Sequence, residues 1–284
     1  MHPASFTYHT PTSVDEALSL MREHSDAKLL AGGHSLMPTM KLRLATPAHL
    51  IDMRKLRGDL QYVRDEGDHI TIGALATYYQ IESNDIVREK APLLVHLINN
   101  VGDLQVRNCG TLGGAIAHAD PAGDPPAAIL ALEAEMVIRG AEGERTVPAG
   151  EFFFGFFETA VQEGEILTEI RVPHQKGGSS YQKMRHPASG YAVVGVAVVL
   201  EKDGDTIKTC RVGVTGMSDG AYRAEGTENA LNGQTFSADM ASQAAEHAAD
   251  DIMPLEDPFA NADYRRQLTK ALTKRALLEA WERA

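Results

Sequence analysis

Apolar and polar positions along this chain follow two periods, and the changes of period divide it into parts. After Ser13-Val14-Asp15-Glu16, which reads as a capping box, Val14, Ala17, Leu18 and Met21 recur at helical spacing. Short apolar runs ending at Ala31 and spanning Leu50-Ile51-Asp52-Met53 read as strands, so the first 55 or so residues form a small α/β unit. The period then shortens: Gln61 to Arg64 and His69 to Ile72 predict a hairpin around Glu66-Gly67. Helices are expected from Tyr78 to Arg88, from Pro92 to Asn99 with proline in the first turn, and from Asp124-Pro125-Pro126 through Leu132. Glu135 to Ile138 and Ile166 to Val172 read as further strands. The polar stretch PHQKGGSS, from Pro173 to Ser180, has no period and marks a boundary near residue 175. Beyond it Val194, Val196, Val198 and Leu200 alternate with small residues, and Asp203-Gly204 turns the chain into Thr206 to Val214. That is a hairpin with one face on a core. Tyr264, Leu268, Leu272 and the region up to Trp281 return to a helical period. The pattern predicts an α+β protein: a two-lobed α/β domain over residues 1–175, with lobes of about 1–55 and 56–175, then an α+β domain over 176–284 with an antiparallel sheet and helices.

Two breaks in this pattern carry candidate chemistry. Ala31-Gly32-Gly33-His34-Ser35 and Thr111-Leu112-Gly113-Gly114-Ala115 each place paired glycines beside a hydroxyl residue. Glycine admits unusual backbone angles and close approach, and amides exposed in this way cradle a diphosphate, with Ser35 and Thr111 adding hydroxyl bonds. One Gly-Gly is an ordinary turn. The same design twice points to one ligand held from two sides.

Composition narrows the class. With 43% hydrophobic and 23% charged residues and no apolar run near the ~20 residues of a membrane span, a globular chain that does not span a bilayer is expected. The segment MHPASFTYHTP lacks the basic region and apolar core of a signal peptide, so a cytoplasmic location is expected. A net charge of −12 argues against nucleic acid. Cys109 and Cys210 are the two cysteines, too few for a disulfide framework or an iron–sulfur cluster. The eleven histidines show no metal-site spacing, and His118-Ala-Asp120 lacks a third ligand, so no metal is expected. No acid–base constellation stands out, so no catalytic residue is assigned. No G-x-G-x-x-G follows the first strand, which disfavours a Rossmann domain. If this chain moves electrons, their carrier is organic.

Four segments sharpen the reading: KLLAGGHSLMPTMKLRLATPAHLIDM (Lys28 to Met53), GDLQVRNCGTLGGAIAHADPAGDPPAAILAL (Gly102 to Leu132), EGEILTEIRVP (Glu163 to Pro173) and YQKMRHPASGYAVVG (Tyr181 to Gly195). They resemble the flavin subunits of molybdenum hydroxylases, above all the medium chains of aerobic carbon monoxide dehydrogenases. The flavin subunits of xanthine dehydrogenase and aldehyde oxidoreductase are more distantly similar. The resemblance covers nearly the whole chain and loosens after about residue 220; Ala115 stands where relatives often have Asn.

This resemblance implies a PCMH-like FAD-binding domain, FAD as cofactor, and a role as electron relay. The implied partners are a molybdenum-cofactor large subunit and a 2Fe-2S small subunit in a dimer of heterotrimers, with a quinone, NAD or another acceptor taking the electrons. It further implies that Leu29, Leu30, Ala31, Gly32, Gly33, His34, Ser35 and Leu36 hold FAD from one side. Val101, Gly102, Thr111, Gly113, Gly114, Ala115, Ala117, Asp120, Gly123 and Asp124 hold it from the other, with Asp124 bonding to the cofactor. Leu167 packs on the flavin or its surroundings, Lys183 lies near flavin N1–C2=O, and Tyr191 covers a flavin face. Taken as residues alone, Asp124 fits a helix N-cap, Leu167 a core leucine, Lys183 a surface lysine and Tyr191 a strand edge. Arg107 faces a phosphate or a partner, and Phe152 to Phe157 reads as packed core or a subunit interface. A free-standing FAD oxidoreductase with its own substrate pocket, or a nucleotide-binding module without redox chemistry, stays open as an alternative.

Overall fold

Ser13 starts the first helix as expected, its hydroxyl accepting the Glu16 N–H at 3.1 Å to open α1 (Val14–Glu23). The box closes one residue earlier than expected. The Glu16 carboxylate takes the Thr12 N–H (2.7 Å) and hydroxyl (2.9 Å) and not the Ser13 amide. In this computed structural model, which describes residues 2–284, α1 buries Val14, Ala17 and Leu18 against a three-stranded parallel sheet. Its strands are β1 (Thr7–His9), β2 (Lys28–Leu30) and β3 (His49–Asp52), with β3 central. Two short helices follow β2 and β3, α2 (Leu36–Lys41) and α3 (Arg57–Leu60).

The next unit is an antiparallel sheet of order β4-β5-β10-β6-β7. Its strands are β4 (Val63–Asp65), β5 (His69–Gly73), β6 (Glu135–Gly140), β7 (Gly143–Pro148) and β10 (Ile166–Pro173), with the small pair β8 (Phe153–Gly155) and β9 (Glu158–Thr159) beside it. Six helices separate the hairpin from β6: α4 (Tyr78–Ser83), α5 (Asp85–Lys90), α6 (Pro92–Ile98), α7 (Leu104–Cys109), α8 (Leu112–His118) and α9 (Pro125–Ala131). The single helix expected from Tyr78 to Arg88 is two. Asn84 is extended (ψ 125°) and its side chain accepts the Ile86 and Val87 N–H groups, which restarts the helix at Asp85. Every residue of α9 is buried, so this apolar helix forms the centre of the largest core.

The last sheet is antiparallel, with order β11-β12-β13-β14: β11 (Gly178–Arg185), β12 (Ala192–Asp203), β13 (Thr206–Thr215) and β14 (Tyr222–Arg223). β11 begins inside the glycine-rich stretch, and Gly178 to Ser180 are buried. The hairpin expected to face a core on one side is covered on both. Val194, Val196, Val198 and Leu200 pack on one core, while Tyr181, Ala197 and Val199 join the core containing α6 and α9. The small residues between the valines carry this second contact. At Gly213 a Cβ would lie 2.0 Å from the Ala127 carbonyl oxygen, so helix and sheet backbones meet there. α10 (Glu225–Leu231), α11 (Ala238–Ala245) and α12 (Ala262–Arg283) cover the other face. On α12 the buried row is Arg265, Thr269, Leu272, Thr273, Ala276, Leu277 and Ala280, while Tyr264 is exposed, contrary to the expected stripe. Arg265 reaches the buried side because Val193 O and Gly216 O (2.6 Å) accept from its guanidinium and Asp257 pairs with it. Among the described residues no helix is long and apolar enough to cross a membrane.

Candidate functional site

Strand β2 delivers Ala31-Gly32-Gly33-His34-Ser35 at the C-terminal edge of the parallel sheet, where open α/β sheets hold ligands. Gly33 has φ +76°, a conformation L side chains rarely adopt, and the bend leads into α2. Among the described residues, the N–H groups of Gly32, Gly33, His34, Ser35 and Leu36 donate to no protein acceptor. Ser35 precedes α2 in helical conformation and its hydroxyl makes no cap, facing the Tyr191 hydroxyl instead. A run of free amides with a hydroxyl suits an anionic, multiply accepting group such as a diphosphate.

The second loop abuts the first, backbone to backbone. A Cβ on Gly32 would lie 2.3 Å from the Cys109 carbonyl oxygen, and one on Gly114 3.5 Å from Ala31 Cβ. Here the amides are already used. Gly113 N–H donates to Ala74 O (3.1 Å), and Gly114 N–H donates to the Thr111 hydroxyl (3.1 Å), which is the N-cap of α8. The expectation of two matched amide cradles is therefore corrected: the first loop presents donors, and the second supplies a close wall and the Thr111 hydroxyl proton.

Between α8 and α9 the chain turns tightly, with Asp120 Oδ1 accepting the Ala122 N–H at 2.9 Å. This turn is tied to the last sheet. Thr215 donates to Pro121 O (2.8 Å) and Gly123 O (2.7 Å), Gly216 N–H to Pro121 O (2.8 Å), and Ala192 N–H to Ala122 O (3.1 Å). Asp124, at the start of α9, does not cap that helix. Its buried carboxylate accepts from Lys183 Nζ at 2.8 Å and from the Tyr181 hydroxyl. Lys183 is not a surface lysine: its side chain is 2% exposed and it also donates to Asn100 O at 3.2 Å. Burial pushes the Asp124 carboxyl up from the usual carboxylate range even with Lys183 beside it. Burial likewise pulls the Lys183 ammonium down against the pull of Asp124. The ammonium has three donors, and two are used.

Tyr191 follows Gly190 (φ +75°) in the loop between β11 and β12, closed by the His186 N–H on Tyr191 O at 2.8 Å. It lies outside the strand and is 41% exposed. Burial, then Asp120, push its hydroxyl pKa up, and the Ser35 hydroxyl beside it offsets part of that. Tyr191 thus carries the last sheet to the first glycine loop. Tyr78, buried, feels both Asp124 and Tyr191.

The remaining positions divide. His34, Gly102 and Ala117 are exposed; Leu29, Leu30, Leu36, Val101, Ala115 and Gly123 are half-buried around the loops. Leu167 is a core residue of β10, just before the bulge at Thr168. Arg107 pairs with Glu82 (2.9 Å) and donates to Val101 O (3.2 Å), so it braces the protein's own loop. The phenylalanine run splits: Phe152 is fully buried, whereas Phe154, Phe156 and Phe157 are exposed. Tyr181 and Tyr78 were not singled out in the sequence. A signal existed for Tyr181, which shares strand parity with Lys183 and so faces the same carboxylate.

A family model described as the FAD binding domain in molybdopterin dehydrogenase matches residues 4–175. A second, the CO dehydrogenase flavoprotein C-terminal domain, matches residues 179–280. The chain is 43% identical to the carbon monoxide dehydrogenase medium chain of Hydrogenophaga pseudoflava, covering 100% of this chain and 99% of that one. It is 38% identical to the glyceraldehyde dehydrogenase medium chain of Sulfolobus acidocaldarius, over 98% of this chain and 99% of the relative. A solved structure of the Hydrogenophaga pseudoflava carbon monoxide dehydrogenase, in a form lacking the Mo-pyranopterin moiety of its cofactor, superposes with a TM-score of 0.97 at 43% identity, covering 100% of both chains.

Proposed function

This chain belongs to the family of FAD-binding subunits of molybdopterin dehydrogenases, and on that premise we propose that it is the flavin subunit of a molybdenum hydroxylase of the carbon monoxide dehydrogenase type. The observation that carries the reading is the row of five free N–H groups from Gly32 to Leu36, walled by the Cys109 to Gly114 backbone. That arrangement fits the diphosphate of FAD. Bound FAD supplies reversible electron uptake and release. The chain's own residues then do three things. The first loop and Ser35 bind the diphosphate. The Asp124–Lys183 pair would set the charge near a bound flavin, and Tyr191 would cover it from solvent.

Nothing in this arrangement chooses a substrate. Relatives named for carbon monoxide and for glyceraldehyde match over essentially the whole chain at 43% and 38% identity, which supports placing substrate chemistry outside this subunit. Exposed Cys109 and buried Cys210 are two thiols where a cluster takes four ligands. We therefore assign a molybdenum-cofactor large subunit and a 2Fe-2S small subunit as partners, in a dimer of heterotrimers, with a quinone, NAD or another acceptor taking electrons from FAD. The higher identity to the carbon monoxide dehydrogenase chain favours that type. The spans of the two matching models support an FAD domain over 1–175 and a C-terminal domain over 176–284.

The reading predicts one noncovalent FAD per chain, identified by chromatography after acid release. In the isolated subunit the flavin should be reduced by dithionite but only slowly by carbon monoxide or aldehydes. In the assembled complex, substrate should reduce it rapidly in stopped flow. Fast reduction of the isolated subunit by substrate would overturn the relay and establish a free-standing oxidoreductase.

A further inference from the structure

Three histidines that the sequence leaves scattered meet on one face of the small parallel sheet. His9 ends β1, His49 opens β3, and His24 is the C-cap of α1, which crosses that face. β1 and β3 pair in parallel with Thr7 opposite His49 and His9 opposite Ile51, so His9 and His49 lie diagonally on the same side. Their ring nitrogens, His9 Nε2 and His49 Nδ1, are 3.0 Å apart. The His24 ring stacks on His49 with centroids 3.7 Å apart and planes 8° from parallel. One ligating nitrogen from each residue lies within 4.8 Å of the other two, and all three side chains are half-buried. Among the described residues no other trio of His, Cys, Asp or Glu gathers in this way. The trio sits apart from the glycine loop, since His49 is at the opposite end of β3 from the edge where β2 leads into Gly32.

We propose that His9, His24 and His49 form a site for a borderline divalent cation, of which Zn²⁺ is the representative. Neutral imidazoles suit Zn²⁺, Cu²⁺ and Ni²⁺, and not Ca²⁺ or Mg²⁺, which take oxygen. Tetrahedral coordination at 2.0–2.1 Å needs nitrogens about 3.3 Å apart. His9 and His49 are joined by a ring-to-ring hydrogen bond, so the ion takes the place of that proton, which shifts to the other nitrogen of its ring. The His24 ring, stacked face to face on His49, swings to aim its nitrogen at the same ion from the half-buried helix end. Water or the Glu23 carboxylate, whose Oε1 is 4.0 Å from His24 Nε2, completes the shell. The bound ion ties β1 and the end of α1 to β3, in the lobe that presents the first glycine loop. Its effect is on the stability of that lobe, and no electron passes through it.

The test uses the full-length, tag-free, FAD-loaded chain, stripped with chelator and titrated with Co²⁺ and then Zn²⁺. One equivalent of Co²⁺ is expected to give tetrahedral visible bands to the red of the flavin, and Zn²⁺ should displace it. At a hundredfold excess over Kd, Zn²⁺ should raise Tm by about 4 °C. His24→Gln and His49→Gln should each weaken binding at least tenfold with circular dichroism unchanged. His247→Gln, at an exposed histidine bonded to Asp250, should bind as the parent does. Absence of cobalt bands in the parent at 100-fold molar excess overturns the site, and so does an equivalent that survives both His24→Gln and His49→Gln.

Discussion

Gly33→Val is expected to abolish FAD binding while leaving a folded protein. At φ +76° a β-branched side chain is strained, at a cost of about 1–3 kcal/mol. The atoms its Cβ would meet are Leu30 Cδ1 and Met37 Cγ, both 3.2 Å away and both on flexible side chains that can give way. Relief of the strain moves the backbone out of the turn and takes the free amides with it. Losing two charge-assisted bonds at roughly 2 kcal/mol each corresponds to about a thousandfold in affinity. Gly32→Ala is the contrasting variant. Its methyl would lie 2.3 Å from the Cys109 carbonyl oxygen, which is backbone, so the two loops must part and stability should fall together with flavin content. Flavin content, urea unfolding and circular dichroism measured on both variants separate the two effects. A Gly33→Val protein that keeps FAD as tightly as the parent would show that this glycine serves the turn alone.

The contrast between these neighbours shows what the sequence carried and what it did not. The paired glycines were legible because a Gly-Gly beside a hydroxyl at a strand end is a local signal. Which glycine faces a ligand and which faces another backbone is not local; it depends on where Cys109 and Ala74 come to rest. The same limit explains Thr111, whose hydroxyl reads equally as a ligand donor or a helix cap until the Gly114 amide is seen to bond it. Strand and helix periods placed most elements, yet two features escaped them. Asn84 restarts a helix through its side chain, which leaves the apolar period intact. The small residues of β12 looked like an outer face, and they are the contact surface for α6 and α9 because a close-packed backbone needs no bulk there. Long-range clusters were the hardest to see: His9, His24 and His49 have no motif spacing, since strand pairing and a helix end bring them together.

Lys183→Met should destabilise the protein by about 3–5 kcal/mol at neutral pH, the cost of leaving the buried Asp124 charge without its cation. The size of the loss should depend on pH in a definite direction. Burial already holds the Asp124 carboxyl above its ordinary value, and removing Lys183 takes away the largest influence pulling it down. A carboxyl with a folded pKa above its unfolded value contributes stability below the unfolded pKa and loses it as pH rises through the folded one. The deficit of Lys183→Met relative to the parent should therefore be greatest above the raised Asp124 pKa and shrink as pH falls toward the usual carboxylate range. Urea unfolding between pH 5 and 8 reads this directly, and a deficit flat across that range would sink the assignment of a buried charge. Asp124→Leu combined with Lys183→Met removes both charges and the penalty of burying them, so the double variant should recover part of the stability lost by Lys183→Met. It should stay short of the parent by about 1–3 kcal/mol for the buried Tyr181 hydroxyl left without its acceptor. If Lys183 places positive charge beside the bound cofactor, Lys183→Met lowers the FAD reduction potential, because reduced anionic flavin loses its nearest cation, and the double variant lowers it less, since the Asp124 anion is lost with it. A Lys183→Met protein with parental potential would leave the pair a structural feature of the α9–β11 contact and nothing more.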